Sequence, residues 1–170
     1  LLRLSGVVVA DQSGLEADDL IAACTRMLSY DECIIVSSDG DMLQLVADNV
    51  VVVNPVKDIE YTRDRVFKDF GVWPRQIPIL KALSGDSSDG IPGVCGIGDK
   101  IASKLITDNY IHTMYDLNRA YANFPERMHA LCEDAGGLAV ISKYHSAITL
   151  LYDLHGANYA VWCGANEYTG

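Results

Sequence analysis

The sequence predicts an α/β fold, a parallel sheet flanked by helices and followed by a helical region. Three observations predict it. Short β-branched runs at Gly6 to Ala10 (GVVVA), Glu32 to Ser38 (ECIIVSS) and Asn49 to Asn54 (NVVVVN) lack polar alternation, as expected of strands buried on both faces. Between the first two, Leu20, Ala23, Cys24, Met27 and Leu28 recur at helical spacing and lay one apolar stripe along a helix, which makes a β-α-β unit. From Thr62 onward the pattern is helical.

The elements follow in order. A short helix around Met42 to Ala47 links the second and third strands, and Ile59 to Thr62 adds an edge strand. Thr62 caps a helix closed by Gly71, and Pro74 opens another that runs to Leu83. Further helices are expected near Gly98 to Asp108, Met114 to Ala122, Pro125 to Glu133 and Leu138 to Leu154. The expected organisation is an α/β core over residues 1–62 and a helical region over 63–170.

Composition narrows the class. With 170 residues and 49% hydrophobic content the chain can bury a core. No apolar run approaches the roughly 20 residues of a membrane helix, and Leu1-Leu2-Arg3-Leu4 is too short for a signal peptide, so a cytoplasmic protein without membrane contact is expected. Cys24, Cys33, Cys95, Cys132 and Cys163 are odd in number, widely spaced and never CxxC, which suggests neither a disulfide framework nor a zinc site. The net charge of −10 argues against a generic nucleic-acid binder, because phosphate contacts need an excess of Lys and Arg.

Where the acids sit matters more than their number. Three groups stand at element ends: Glu16, Asp18 and Asp19 in LEADDL, Asp39 and Asp41 in SSDGD, and Asp86 and Asp89 in GDSSDG. Each alone has a plain structural reading. Ser13 and Glu16 have the spacing of a capping box, SSDGD reads as a solvated Asp-Gly turn, and GDSSDG reads as a Gly-rich turn. An EF-hand is excluded, because Leu43 occupies a ligand position and no Glu ends the loop. Together the groups point elsewhere, since converging carboxylates repel unless a cation joins them. Oxygen ligands without His or Cys favour Mg²⁺ or Mn²⁺, and two such ions about 4 Å apart activate a water and stabilise the leaving oxygen of a phosphodiester.

Residues Gly90 to Lys104 (GIPGVCGIGDKIASK) form a Gly-rich turn feeding a helix whose apolar positions are Ile101, Ala102, Leu105 and Ile106. Backbone amides at such a turn face a phosphate without obstruction, and Lys100 and Lys104, one turn apart, reach neighbouring phosphates. A nucleotide phosphate loop fails because Asp99 and Lys100 follow Gly98, and the dinucleotide fingerprint fails at Ile101. The remaining readings are a plain helix-helix connection and a helix-hairpin-helix, a sequence-independent grip on a DNA backbone.

The order LEADDL, SSDGDMLQL, LSGDSSDGIPGVCGIGDKIASKL resembles the 5′-nuclease family, which includes phage flap endonucleases and the 5′-nuclease domain of bacterial DNA polymerase I. The match is specific over about Gly14 to Ile106. The resemblance implies that Glu16, Asp18, Asp19, Asp39 and Asp41 are metal-ligating carboxylates, some through water, and that Asp86 and Asp89 support the second metal. It also implies a potassium ion on backbone carbonyls near Val94 and Ile97, and amides of Gly96 and Gly98 directed at duplex phosphates. The implied activity is divalent-metal-dependent hydrolysis of duplex DNA at a 5′ flap or 5′ end, by a monomer in a bacterial or phage-infected cytoplasm. Family members begin with a strand bearing an Asp ligand, then a second Asp and a basic helical arch. This sequence starts after those parts, and the expectation is a fragment or a chain lacking its N-terminal half.

Two other readings stay open on the residues alone. A PIN-like metal-dependent ribonuclease shares the carboxylate-lined sheet but lacks the hairpin that Gly93 to Lys100 provides here. A non-catalytic DNA-binding module of the same fold is disfavoured by retention of all seven acids. His112, His129, His145 and His155 are scattered singly and carry no catalytic pattern.

Overall fold

The computed structural model describes residues 9–27 and 32–149 of the chain. They fall into two compact units, one containing residues 9–27 and the other residues 32–149. In the first unit, helix α1 spans Ala17–Met27 and buries Leu20 and Ala23 of the expected stripe together with Ala22, whereas Cys24 is half-buried and Met27 is 57% exposed. Its opening bond runs from the Leu20 amide to the Glu16 carbonyl, at 3.3 Å. Glu16 therefore precedes the helix instead of standing three residues inside it, and the Ser13/Glu16 capping box does not form. The expected strand at Gly6 to Ala10 lies almost wholly outside the described residues, and Val9 and Ala10 are exposed.

The second unit holds a three-stranded sheet in the order β1 (Cys33–Val36), β2 (Val50–Asn54), β3 (Ile59–Tyr61). Strands β1 and β2 run parallel with Cys33 opposite Val50, and β3 joins β2 antiparallel with Val52 opposite Tyr61. The β2–β3 turn is held by the Asn54 side chain, whose Oδ1 accepts from the amides of Val56 and Lys57 at 3.0 Å each. Burial along the strands alternates, with Ile35, Val50 and Val52 inside but Ile34 and Val36 67% exposed. The unbroken apolar runs are thus not buried on both faces, because side chains of a strand alternate between its two sides.

A 3₁₀ turn at Gly40–Leu45 replaces the expected helix at Met42 to Ala47, and it begins earlier because the Asp39 side chain caps it. Helix α2 (Arg63–Phe70) is capped by Thr62, whose side chain accepts from the Arg65 amide, and closed by Gly71 in the left-handed region. The helix expected from Pro74 to Leu83 divides. A 3₁₀ turn covers Pro74–Gln76, and α3 runs over Ile77–Ser84. Pro78 explains the division, since it has no N–H to donate and is tolerated only in a first turn.

Helix α3 is the core of this unit, with Ile77, Ile79, Leu80, Ala82 and Leu83 all buried. It packs against α4 (Asp99–Asp108) and α7 (Gly137–Ile148), which contribute Ala102, Leu105 and Ile106, and Ile141 and Ile148. Helices α5 (Met114–Tyr121) and α6 (Glu126–Asp134) complete it. Helix α7 ends at Ile148 with Thr149 extended at its C-cap, short of the expected Leu154, and residues 150–154 lie outside the described residues. Gln44, buried in the 3₁₀ turn, donates to the Ile148 carbonyl at 3.0 Å and ties the end of α7 to the turn that carries Asp41.

Candidate metal centre and nucleic-acid interface

The parallel pair β1–β2 delivers the second acidic group. Beyond Val36 the Ser37 amide still pairs with the Val53 carbonyl at 3.0 Å, and the chain then turns at Asp39. Asp39 Oδ1 accepts from the Asp41 amide at 2.9 Å, so Asp39 stays exposed as a cap while Asp41 is carried inward to 8% exposure. At the other side, α3 ends at Gly85. Asp86 and Ile91 pair backbone to backbone in both directions at 2.8 Å, closing a loop that holds Asp89 at its exposed edge. Gly85 and Gly93 make this closure possible. Both have positive φ, and a Cβ on Gly93 would stand 2.3 Å from the Gly85 nitrogen.

The result is a three-carboxylate group: one oxygen each from Asp41, Asp86 and Asp89 lies within 4.8 Å of the others. Lys81, the charged residue of the apolar helix IPILKALS, enters the same group. Its Nζ donates to Asp86 Oδ2 at 2.5 Å and to Asp41 Oδ1. Asp86 Oδ1 accepts from the Ser88 amide at 2.9 Å and from the Ser88 hydroxyl.

The two carboxylates paired with Lys81 respond in opposite directions. Burial pushes the Asp41 carboxyl above the usual range, against the pull of Lys81 and with added repulsion from Asp39 and Asp89. Burial also opposes ionisation of Asp86, but hydrogen bonds from Lys81 and Ser88 outweigh it and hold Asp86 down at about 2. For Lys81, burial favours the neutral form, yet its bonds to Asp41 and Asp86 raise its pKa and keep it an ammonium. One ammonium thus faces three carboxylates, and the excess negative charge is what a divalent cation would neutralise.

Of the other acids, Glu16 is exposed while Asp18 and Asp19 are half-buried, with Asp18 Oδ1 accepting from the Asp19 amide at 2.9 Å. These three belong to the first unit. Lys81 is the site residue that sequence reasoning missed. The available signal was a lone charge inside an otherwise apolar helix, IPILKALS.

The hairpin continues from this group. The Val94 amide bonds the Leu83 carbonyl at 2.8 Å and the Ile97 amide bonds the Val94 carbonyl at 2.9 Å, while both side chains are buried. Gly96 and Gly98 are exposed, and a Cβ on Gly98 would meet no atom within 4 Å. Gly98 caps α4, where Lys100 and Lys104 stand exposed one turn apart.

A small mixed sheet with Asp39 and Asp41 beyond the end of β1, and Asp86 and Asp89 in the loop between α3 and the glycine hairpin, is the arrangement that comparisons with known proteins match. The family model described as the 5′-3′ exonuclease N-terminal resolvase-like domain matches residues 1–71, and the one described as the 5′-3′ exonuclease C-terminal SAM fold matches residues 72–149. The chain belongs to the 5′-3′ exonuclease family. It is 43% identical over 108 residues to a 5′-3′ exonuclease of Aquifex aeolicus, covering 62% of this chain and 37% of that protein. It is 39% identical over 114 residues to DNA polymerase I of Mycobacterium tuberculosis, covering 64% of this chain and 13% of that protein. The chain thus spans well under half the length of these relatives. Among solved structures, a mutant of the T5 5′-exonuclease superposes with a TM-score of 0.64 at 24% identity, covering 86% of this chain and 70% of that one. The T5 flap endonuclease solved with DNA and metal ions superposes with a TM-score of 0.60 at 25% identity, covering 86% and 63%. No helix among the described residues is long and apolar enough to cross a membrane.

Proposed function

We propose that this chain carries the metal-binding and DNA-gripping parts of a 5′-nuclease that hydrolyses DNA phosphodiester bonds at 5′ flaps or 5′ ends. The observation that carries the reading is the meeting of Asp41, Asp86 and Asp89, from two separate stretches of sequence, at the foot of the glycine hairpin. Three carboxylate oxygens within 4.8 Å need little rotation to surround an ion with bond lengths of about 2.1 Å. In this reading Glu16, Asp18, Asp19, Asp39 and Asp41 would be metal-ligating carboxylates for Mg²⁺ or Mn²⁺, some through water, and Asp86 and Asp89 would support a second ion. Bound there, the ions supply Lewis-acid activation of water and neutralise charge on the scissile phosphate.

The chain's own residues do the rest. The exposed amides of Gly96 and Gly98 and the ammonium groups of Lys100 and Lys104 hold duplex phosphates and set the register of the strand against the acids. The backbone carbonyls near Val94 and Ile97 would hold a potassium ion, which would stiffen the turn. In this reading the boundary between the carboxylate-bearing core and the helical DNA-binding region falls at residue 62. The substrate is double-stranded DNA, the working form a monomer, and the setting a bacterial or phage-infected cytoplasm.

Titration calorimetry with Mn²⁺ tests the reading. The chain takes up Mn²⁺, and Asp86→Ala, still folded by circular dichroism, binds it at least about tenfold more weakly, the scale on which loss of a ligand acts. A folded wild-type chain that takes up no Mn²⁺ or Mg²⁺ overturns it.

A further inference from the structure

The contact between Lys81 and the acids goes beyond a surface ion pair. The lysine rises from the last turn of the buried helix α3, its side chain only 19% exposed, and its two partners are each 11% exposed. Both oxygens of Asp86 are engaged, Oδ2 by Lys81 and Oδ1 by Ser88. Asp41 Oδ1 is engaged by the same ammonium. A divalent ion drawn to Asp41 and Asp86 would approach the Nζ group to within about 4 Å, where like charges in a half-buried site repel strongly.

We propose that Lys81 is a resident counter-cation of the carboxylate group and competes with divalent ions for Asp41 and Asp86, so that metal binding releases its ammonium. The proposal rests on the reading that these acids bind divalent ions. Lys81 keeps Asp41 and Asp86 together, and the same bonds raise the metal concentration at which the site fills. Room for the released side chain exists in the adjoining cavity of about 230 Å³, which Lys81 lines together with Gly40, Phe70, Ser84 and Asp99. Lys81 is in these terms a positioning residue: it acts on the ligands and through them on the ion.

Two measurements test this. In Mn²⁺ titration calorimetry, Lys81→Met, which keeps the apolar stem and removes the charge, binds Mn²⁺ more tightly than wild type by about tenfold or more, a usual size for coupling between two cations of one site. In the wild-type chain, acetylation at Lys81 read by mass spectrometry accelerates when Mn²⁺ is added to saturation, while acetylation at the exposed Lys100 and Lys104 does not. The second measurement stands even where Lys81→Met does not fold. Unchanged or weaker Mn²⁺ binding in a folded Lys81→Met, or Lys81 equally protected with and without Mn²⁺, overturns the proposal and leaves the metal site standing. Absence of Mn²⁺ uptake by the wild-type chain removes both.

Discussion

Single residues carry opposing duties at this site. Asp39 caps a turn and Asp86 orders a loop through Ser88, so each of their plain structural readings is correct, and the carboxyl groups remain beside the cluster nonetheless. Gly93 has no such latitude. Its φ is 63° and its would-be Cβ meets the backbone of Ser84 and Gly85 at 2.5 and 2.3 Å. Gly93→Ala is therefore expected to destabilise the protein by on the order of 1–3 kcal/mol from the left-handed backbone alone, and by more from the clash. Gly90→Ala is the control, since Gly90 shares a positive φ but has open space around it. Thermal unfolding of the two variants checks this, with the larger loss of Tm in Gly93→Ala.

At the scale of elements, α4 and α7 answer to different forces. Helix α4 presents Lys100 and Lys104 to solvent on the side away from Ala102, Leu105 and Ile106. Lys100→Ala is expected to weaken binding to duplex DNA regardless of sequence and to lower the slope of log K against log salt by about 1, the signature of one lost phosphate contact. Fluorescence anisotropy over a salt series measures it. Helix α7 instead half-buries His145, and that burial lowers its pKa below the usual 6.5. The unfolded chain then binds the proton more readily than the folded one. Stability from this group is complete above pH 6.5 and is lost as pH falls below that value. His145→Gln should accordingly flatten the fall in Tm between neutral pH and about pH 5, a window set by the ordinary imidazole value.

For the whole molecule, a cation bound at the proposed carboxylate site would couple binding to folding. Asp41 comes from the turn after β1 and Asp86 and Asp89 from the loop after α3, so a bound ion joins stretches that the unfolded chain keeps apart. At a Mn²⁺ concentration of 100 times Kd, the gain is about 2.7 kcal/mol, or roughly 5–10 °C in Tm for a chain of this size. Scanning calorimetry with and without Mn²⁺ is the check, and Asp86→Ala should lose most of the shift.

By itself the sequence determined the order of elements from Cys33 onward, both caps of α2 and the acid-bearing loops, because these depend on contacts a few residues apart. Thr62 and Gly71 bracket α2 as their chemistry requires, and the strands at Cys33–Val36 and Val50–Asn54 fall inside their β-branched runs. It was less reliable where a local pattern admits two answers. Pro74 and Pro78 both suit a helix start, and the chain uses Pro78 for the α-helix and Pro74 for the turn before it. Only the tertiary structure decided that Asp41, Asp86 and Asp89 share one place and that Lys81 shares it with them. Asp41 stands 40 residues before Lys81 in the chain, and no short-range periodicity reports which side of a buried helix will meet which loop.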